Sequence, residues 1–543
     1  MKMKKIGYIA IASLLALSSC SDFLDENLKG SLAPSNTYTS THGFEVGITG
    51  LYEYCRSEWN CWGGEGNSYS HGGATPYEVL QIGTDLANTG HNDGTLQVFD
   101  NLSYTPQTSF IKSWWEFGYG LASNANLILE YSEHPDVAWD KPTDKIGFQA
   151  EARFFRAYAY RYLVYLYGDV PYVDKVERDF RIDFTRTPKD EVLGHMIDDL
   201  KFAAENLPKD PDAVLPGRLT KWAALHLLSE VYLMAGMNAE AEDAAEQVIN
   251  SGYFHLMKER FGTQTKEPGD VFSDLFKENN QNRTSDNKES IWVMQLEYNV
   301  IGGGDESEDW TKRAWVPKYW DIPGFQIADS LGGRGLAQLM GLPWWIGNDS
   351  HFFEDTDIRN SEYNIKRHWY YNNPDVPETY GKPCEMTDDL WQAGKLCPAI
   401  TKFFYGVIGR GGDEGYGGNT KDRMKFRLAE TYLLLAEARM NQGNAKGAAE
   451  AINEVRRRAH ASEISADDVT KDFLADERIR ELAGEELRRF TLCRLGILKE
   501  RSVKYNDRVT PRWDDKFLLW PIPQSVIDSN TGAEFPQNPG WEQ

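Results

Sequence analysis

Two helical hairpins of similar sequence constrain the fold of this chain more than any other feature. The predicted helices are 219–236 with 238–251 and, about 200 residues further on, 424–442 with 444–460. Each hairpin turns at a glycine, Gly236 or Gly443, and both carry small residues at matching offsets, which let paired helices approach closely as in tetratricopeptide repeats. Because the copies are too far apart for a regular array, they predict a helical scaffold interrupted by long insertions.

Most of the remaining regular pattern is also helical. Apolar residues three or four positions apart predict helices at 108–131, 147–167 and 188–206. The second of these is followed by Gly168 and Pro171, the usual order of residues at the end of a helix. Strand patterns are few, so the predicted fold class is mostly α.

The first twenty residues predict where the protein works. Lysines precede an apolar run at 6–17, which is too short to span a bilayer but typical of a signal peptide. Leu-Ser-Ser-Cys at 17–20 resembles a bacterial lipobox. That resemblance implies removal of residues 1–19 and acylation of Cys20 by palmitate-like chains, which would anchor the protein outside the cytoplasm. The alternative is an ordinary cleaved signal that happens to contain a cysteine.

The composition is that of a folded, acidic protein. With 58 basic and 82 acidic residues the formal net charge is −24, which disfavours nucleic acids and anionic membrane surfaces as partners. Aromatic residues make up 13% of the chain, including 17 tryptophans, a content that excludes disorder. No run after the leader approaches about 18 apolar residues, so no transmembrane helix is predicted.

The cysteines beyond Cys20 leave two interpretations open. In an oxidising compartment Cys55 with Cys61, or Cys384 with Cys397, would each close a small loop and leave Cys493 single. Free thiols are the alternative. The spacings match no zinc site, so neither a metal site nor a cofactor is predicted.

Short motifs lie in a fixed order along nearly the whole chain. They are CSDFLD at 20–25, EARFFRA at 151–157, GDVP at 168–171, GRLTKWAA at 217–224, RLAE at 427–430, NEVR at 453–456, ER at 477–478, GEE at 484–486, WPIP at 520–523 and QNPGW at 537–541. Together they resemble the RagB/SusD family of outer-membrane, glycan-binding lipoproteins. The resemblance implies one SusD-like domain at 20–543, with tetratricopeptide-like helix pairs and long loop-rich insertions.

The resemblance places glycan recognition in two insertions, at about 57–100 and 300–420, which are rich in glycine, asparagine and aromatic residues. Trp and Tyr rings offer flat apolar faces to sugar rings, while Asn, Asp or Arg at the rim bond the hydroxyl groups. The predicted carbohydrate-binding residues are Trp59, Trp62, Asn67, Tyr69, Asp85, Trp310, Trp315, Arg334 and Trp345. The alternative for each is a place in the core beneath a long loop. A loop as long as the second insertion is normally functional.

The charged and tryptophan residues of the motifs are predicted to be structural. Charges on helices rich in apolar positions most often form partly buried ion pairs that fix helix packing. The residues concerned are Arg153, Arg156, Glu477, Glu485 and Arg488, together with the core tryptophans Trp114, Trp115, Trp520 and Trp541. Asp355 and Asp357 are followed by Arg359, which argues against a calcium loop.

No catalytic signature such as H-E-x-x-H, G-x-S-x-G or a P-loop is present, and no enzyme is predicted. The resemblance implies a cell-surface lipoprotein of the outer membrane for nutrient uptake and polysaccharide utilization. It would capture oligosaccharides without cleaving them and deliver them to a SusC-like TonB-dependent transporter, which would dock on the helical scaffold. Two alternatives are a surface glycoside hydrolase, which needs only two carboxylates, and a binder of peptides or another nutrient on the same scaffold.

Overall fold

The computed structural model describes residues 34–59, 75–90, 94–297, 300, 303, 309, 311–405 and 419–542. Within these ranges the helices are α1 Pro34–Thr37, α2 Thr41–Arg56, α3 Gly94–Asp100, α4 Ser109–Ser132, α5 Asp144–Tyr167, α6 Lys189–Asn206, α7 Lys221–Met234, α8 Asn238–Ile249, α9 Val271–Asp274, α10 Thr311–Ala314, α11 Pro343–Ile346, α12 Asp388–Gln392, α13 Leu428–Asn441, α14 Ala445–Arg458, α15 Lys471–Leu482, α16 Arg488–Leu495, α17 Leu498–Tyr505 and α18 Gln524–Ser529. The strands are β1 Ala87–Asn88, β2 Ser290–Met294, β3 Met340–Gly341, β4 Ile365–Lys366, β5 Trp369–Tyr370, β6 Pro383–Cys384, β7 Ala399–Ile400 and β8 Arg423–Arg427. The mostly α fold class is therefore confirmed.

The long helices follow the predicted periodicity closely. Helix α5 is buried on all sides from Phe154 to Tyr167 because α2, α4 and α6 pack around it. It ends at Gly168, whose φ of 73° lies in the left-handed region that glycine adopts most readily. Gly236 and Gly443, the predicted turns of the two hairpins, have φ of 73° and 78° for the same reason.

The two similar hairpins are neighbours in space. Successive helices α4 to α8 each pack against the next, and α8 then packs against α13, which pairs with α14. Residues 250–427 therefore leave the helical scaffold after the first hairpin and return to it at the second, as the predicted interruption requires.

The second hairpin begins later than predicted. Residues 424–427 belong to strand β8, which pairs antiparallel with β2 across the base of the insertion. Alternation of the side chains explains the difference, because Met424 and Phe426 are buried while Arg423 and Lys425 point to the other face.

The second insertion, which the sequence predicts to be loop-rich, contains short regular elements in its described part. Residues 311–405 form short helices and the paired strands β4–β7 and β5–β6, while β3 pairs with β1 of the first insertion. They also enclose an apolar cluster around Tyr319, Trp369 and Leu396. These strands are only two residues long, so no periodic pattern marks them in the sequence.

A buried network of ion pairs joins the insertion to the helical scaffold. The Glu481 carboxylate on α15 bonds Arg427 at the end of β8, Arg458 at the end of α14, and Arg359 of the insertion at 3.2 Å. Arg359 also bonds Glu477 at 2.7 Å, and all five side chains are at most 2% exposed. Because each buried charge is compensated only when the others are in place, the network fixes how these elements pack.

The structural role predicted for the other motif residues is confirmed. Arg156 and Arg153 pair with Asp199, while Glu485 pairs with Arg427 and Arg488 with Asp85. The four predicted core tryptophans are buried. Arg359 pairs with Asp357 at 2.7 Å, which occupies the carboxylate that a calcium loop would need.

The structure bears on the predictions made for membrane spans and for disulfide bonds. Among the described residues, no helix has the length and apolar character needed to cross a membrane. Cys384 and Cys397 are both free thiols, so the loop that would join them is not closed. Cys20 and Cys61 lie outside the described residues.

We expect Glu477→Gln to lower the free energy of unfolding by roughly 3 kcal/mol, because it leaves buried arginine charges uncompensated. Burial by itself would raise the pKa of Glu477, but Arg359 and the other arginines outweigh it and lower the pKa to about 2. An unfolded glutamate titrates near about 4.3, so this carboxylate stabilises the fold fully above about pH 5 and progressively less toward pH 2. Urea unfolding should therefore show that the free energy of unfolding decreases less between pH 7 and pH 3 in the variant than in the parent protein.

The matched control is Glu463→Gln, which removes an exposed pair with Arg457 at 2.7 Å. Exposed pairs contribute about 0–1 kcal/mol, so this variant should unfold almost as the parent does. An equal decrease in the free energy of unfolding in the two variants would contradict the role given to the buried network.

Candidate functional site

Three residues that border the undescribed parts of the two insertions lie together in the structure. They are Trp59, Asp309 and Asn419, and Asn419 N donates to Asp309 O at 2.9 Å in an antiparallel bridge. The Arg423 guanidinium forms an ion pair with Asp309 and lies 4.3 Å from the Trp59 ring centroid. We call these four residues the Trp59 junction.

A buried lysine ties the junction to its surroundings. The Lys421 ammonium donates to the carbonyl oxygens of Phe276 and Lys402, each at 2.8 Å, and of Phe404 at 2.9 Å. Burial lowers the pKa of Lys421 to about 7, and the charge of Arg423 adds to that effect. Three backbone segments are thus held at one ammonium group.

A surface cleft of about 340 Å³ lies beside the junction. We call it the Tyr363 cleft, and its lining comes from Gln264, Pro268, Ser273, Phe276, Lys277, Glu278, Asp329, Tyr363, Thr401, Phe404 and Tyr405. Phe276 also borders a small cavity next to Trp59, so the cleft and the junction are adjacent.

The cleft combines aromatic rings with carboxylates. The Tyr363 side chain is 47% exposed, and the Phe404 ring is half-buried. Glu278 is half-buried and forms no hydrogen bond or ion pair with another described residue. Burial raises its pKa, although the nearby charge of Lys421 opposes the rise, and the charge of Asp329 adds to it. Asp329 accepts from the Lys312 ammonium at 2.9 Å. An exposed ring beside a carboxylate that has no hydrogen-bond partner among the described residues suits a sugar, which presents both a C–H face and hydroxyl donors.

The structure places three of the predicted binding residues in the core. Trp315 and Trp345 are 2% and 1% exposed, and Trp345 Nε1 donates to Leu86 O at 2.8 Å. Asp85 is fully buried and accepts from Arg488 at 2.7 Å and Arg501 at 2.6 Å. These side chains offer no ring face or free carboxylate to a ligand, which corrects their assignment.

Of the remaining predicted binding residues, Trp59 and Arg334 lie in the described part of the chain. Trp59 is buried in the junction, with Arg423 on its ring and the Lys425 ammonium 4.8 Å from the ring centroid. Arg334 is partly exposed and lies 5.4 Å from the Trp320 ring centroid. It follows Gly333, where a side chain would clash with Lys312. Trp62, Asn67, Tyr69 and Trp310 lie outside the described residues.

The sequence analysis missed the residues that line the cleft. Tyr363 and Phe404 lie in the predicted second insertion, but Phe276 and Glu278 come from residues 264–278, which were not singled out. No local pattern relates these stretches. Their proximity depends on Lys421, whose hydrogen bonds span 145 residues to Phe276.

Within the described ranges, no group of three or more His, Cys, Asp or Glu side chains is placed to hold a metal ion.

Comparisons with known proteins agree with this architecture. Residues 347–541 match the family model described as SusD family, and residues 71–233 match one described as starch-binding, associating with outer membrane. SusD-like protein P2 of Formosa agariphila is 28% identical over 562 residues, covering 99% of this chain and 100% of that protein.

Solved structures share the fold over almost the whole chain. A SusD homolog from Bacteroides thetaiotaomicron has a TM-score of 0.71 at 21% identity and covers 94% of this chain and 98% of its own. A laminarin-binding SusD-like protein has a TM-score of 0.67 at 22% identity, with 92% and 98% covered. The family models, the full-length relative and the helical fold agree, and the chain belongs to the SusD family.

Proposed function

We propose that this protein is a non-catalytic glycan-binding lipoprotein on the outer-membrane surface, which passes oligosaccharides to a SusC-like TonB-dependent transporter. The family descriptions support the class of ligand, since they name starch binding and outer-membrane association. A structural relative is described as a laminarin-binding SusD-like protein.

The observation that carries the proposal is the Tyr363 cleft beside the Trp59 junction. Its exposed tyrosine, its half-buried carboxylate and its volume of about 340 Å³ suit one or two sugar rings, since small-molecule sites measure about 300–1,000 Å³. We propose that glycan crosses this cleft and that Arg334, assigned to the ligand from the sequence, also contacts it. The sequence-based assignment of Trp62, Asn67, Tyr69 and Trp310 to the same ligand is retained as part of the proposal.

One observation favours the alternative of a glycoside hydrolase. Glu278 and Asp329 are two carboxylates bordering one cleft, which is the minimum that glycoside hydrolysis needs. Asp329 is neutralised by Lys312 in the structure, so it is held as an ion-pair partner. Activity and binding are therefore measured together.

We expect the protein to retain one or more members of a neutral oligosaccharide panel without producing new reducing ends. Tyr363→Ala should weaken that binding at least tenfold, about 1.4 kcal/mol, because a stacked ring is lost. Titration calorimetry measures the affinity, a reducing-end assay measures cleavage, and thermal melts of the same samples measure stability. New reducing ends that disappear in Glu278→Gln would establish the hydrolase instead.

Matched variants separate ligand contacts from packing. Tyr380→Ala removes a tyrosine that is 55% exposed and outside the cleft, and should leave affinity unchanged. Trp62→Ala should weaken binding with little loss of stability, whereas Trp315→Ala should cost roughly 3–5 kcal/mol of stability as a core truncation. Unchanged affinity in both Tyr363→Ala and Trp62→Ala would overturn the proposed site.

We expect a β-barrel transporter to copurify with the protein from native membranes, bound to the helical scaffold. The scaffold presents the outer faces of α8 and α14, and stacked helix pairs are common docking surfaces. Mass spectrometry of the purified complex identifies the partner. Purification without any transporter, in a detergent that keeps other outer-membrane complexes intact, would exclude the delivery role.

We expect Cys20→Ala to release the protein from membranes while its melting temperature stays the same. The anchor depends on several acyl chains at one residue, and one substitution removes all of them. Membrane fractionation in cells that lack the transporter measures the effect, and protease shaving of intact cells tests the extracellular face. A variant that still sediments with membranes in those cells would show that Cys20 is not the anchor.

A further inference from the structure

A second cleft, of about 500 Å³, lies on the helical scaffold and shares no lining residue with the Tyr363 cleft. Helix α4, residues 171–184 and residues 525–535 form its walls. We call it the Tyr119 cleft. Its volume falls in the range of small-molecule sites.

The floor of the Tyr119 cleft is aromatic. Trp115 and Phe535 are each 7% exposed, with ring centroids 6.5 Å apart, and the half-buried Tyr119 ring lies 4.9 Å from Trp115. The half-buried Phe184 forms the opposite wall. Rings that are held in this way present a fixed apolar surface to a ligand.

Hydrogen bonds across the cleft hold its walls in place. Tyr119 Oη donates to Pro171 O at 2.7 Å, and Asn126 Nδ2 donates to Val173 O at 2.8 Å. The Asn530 side chain accepts from Phe184 N at 2.8 Å and donates to Phe184 O at 2.9 Å. The three walls are therefore positioned before any ligand arrives, which reduces the entropic cost of binding.

The rim of this cleft is basic, although the chain carries a net charge of −24. Its charged lining residues are Lys112, Lys175, Arg181 and Glu177. Arg181 pairs with Glu177 at 2.6 Å and with Asp183 at 3.0 Å, so its charge is already compensated. Lys112 pairs with Glu116 at 3.2 Å in an exposed contact that contributes little. Lys175 is exposed and its ammonium forms no ion pair with another described residue.

We propose that the Tyr119 cleft is a second binding site, which takes an acidic sugar residue carrying a carboxylate or sulfate group. The apolar face of the sugar lies against Tyr119 and Phe184, and its anionic group meets the ammonium groups of Lys175 and Lys112. An aromatic floor alone would suit any sugar, but Lys175, whose ammonium has no ion-pair partner among the described residues, selects the charged one because it gains a counter-charge on binding, and the exposed Lys112 adds to the local positive charge. This site does not depend on the ligand of the Tyr363 cleft.

Calorimetric titration of the full chain in detergent tests this site with two acidic probes, an oligogalacturonate and a sulfated galactan oligosaccharide. The fully methyl-esterified oligogalacturonate and the desulfated galactan are the matched neutral probes. We expect at least one acidic probe to bind at least tenfold more tightly than its neutral form. Its affinity should fall as the salt concentration is raised from about 50 to about 500 mM, because salt screens the attraction between the charges. Failure of both acidic probes to bind overturns the proposal.

Variants locate the binding. The Lys175→Gln variant and the double variant Tyr119→Phe with Phe184→Ala should each weaken binding of the acidic probe at least fivefold. The control variant Lys446→Gln, which changes an exposed lysine on α14, should have no effect on that binding. Tyr363→Ala should also leave this probe unaffected, which separates the result from that for the first cleft. Loss of binding in Tyr363→Ala with none in Lys175→Gln overturns the proposal. Equal binding of a polyglutamate peptide also overturns it, because charge alone would then suffice.

Discussion

The carboxylate of Glu481 is the interaction on which the rest of this structure depends. It joins Arg427, which precedes α13, Arg458 at the end of α14, and Arg359 of the insertion. None of these charges has access to solvent, so each requires its partners, and removal of one would leave the others uncompensated at a cost of several kcal/mol. The helical scaffold and the insertion therefore acquire their final packing together.

The same network reaches the candidate site through Glu485. This carboxylate bonds Arg427 at 2.6 Å and the Lys402 ammonium, and the carbonyl oxygen of Lys402 in turn accepts from Lys421. Lys421 holds the backbone of Phe276 and Phe404 at the Tyr363 cleft. A ligand at this cleft would thus meet walls that are fixed by buried charges, which favours recognition by a rigid surface.

The two clefts illustrate different uses of aromatic residues. In the Tyr363 cleft the rings stand on an irregular insertion and are accompanied by carboxylates, whereas the Tyr119 cleft is built on a long helix and is rimmed by lysines. Since hydroxyl groups donate to carboxylates and acidic groups pair with ammonium, the two surfaces would select different sugars. One protein could then hold two parts of a mixed glycan.

The sequence by itself determined the scaffold, because helical periodicity, terminal glycines and small residues at hairpin contacts are local signals. It also identified the motif charges as ion pairs, although not their partners. Only the tertiary structure decided which aromatic and acidic residues are buried. Asp85 lies 403 residues from Arg488 along the chain, yet the pairing of the two removes Asp85 from any ligand site. Likewise the Tyr363 cleft unites residues 264–278 with 401–405, because one buried ammonium bonds both, and such long-range contacts leave no trace in local spacing.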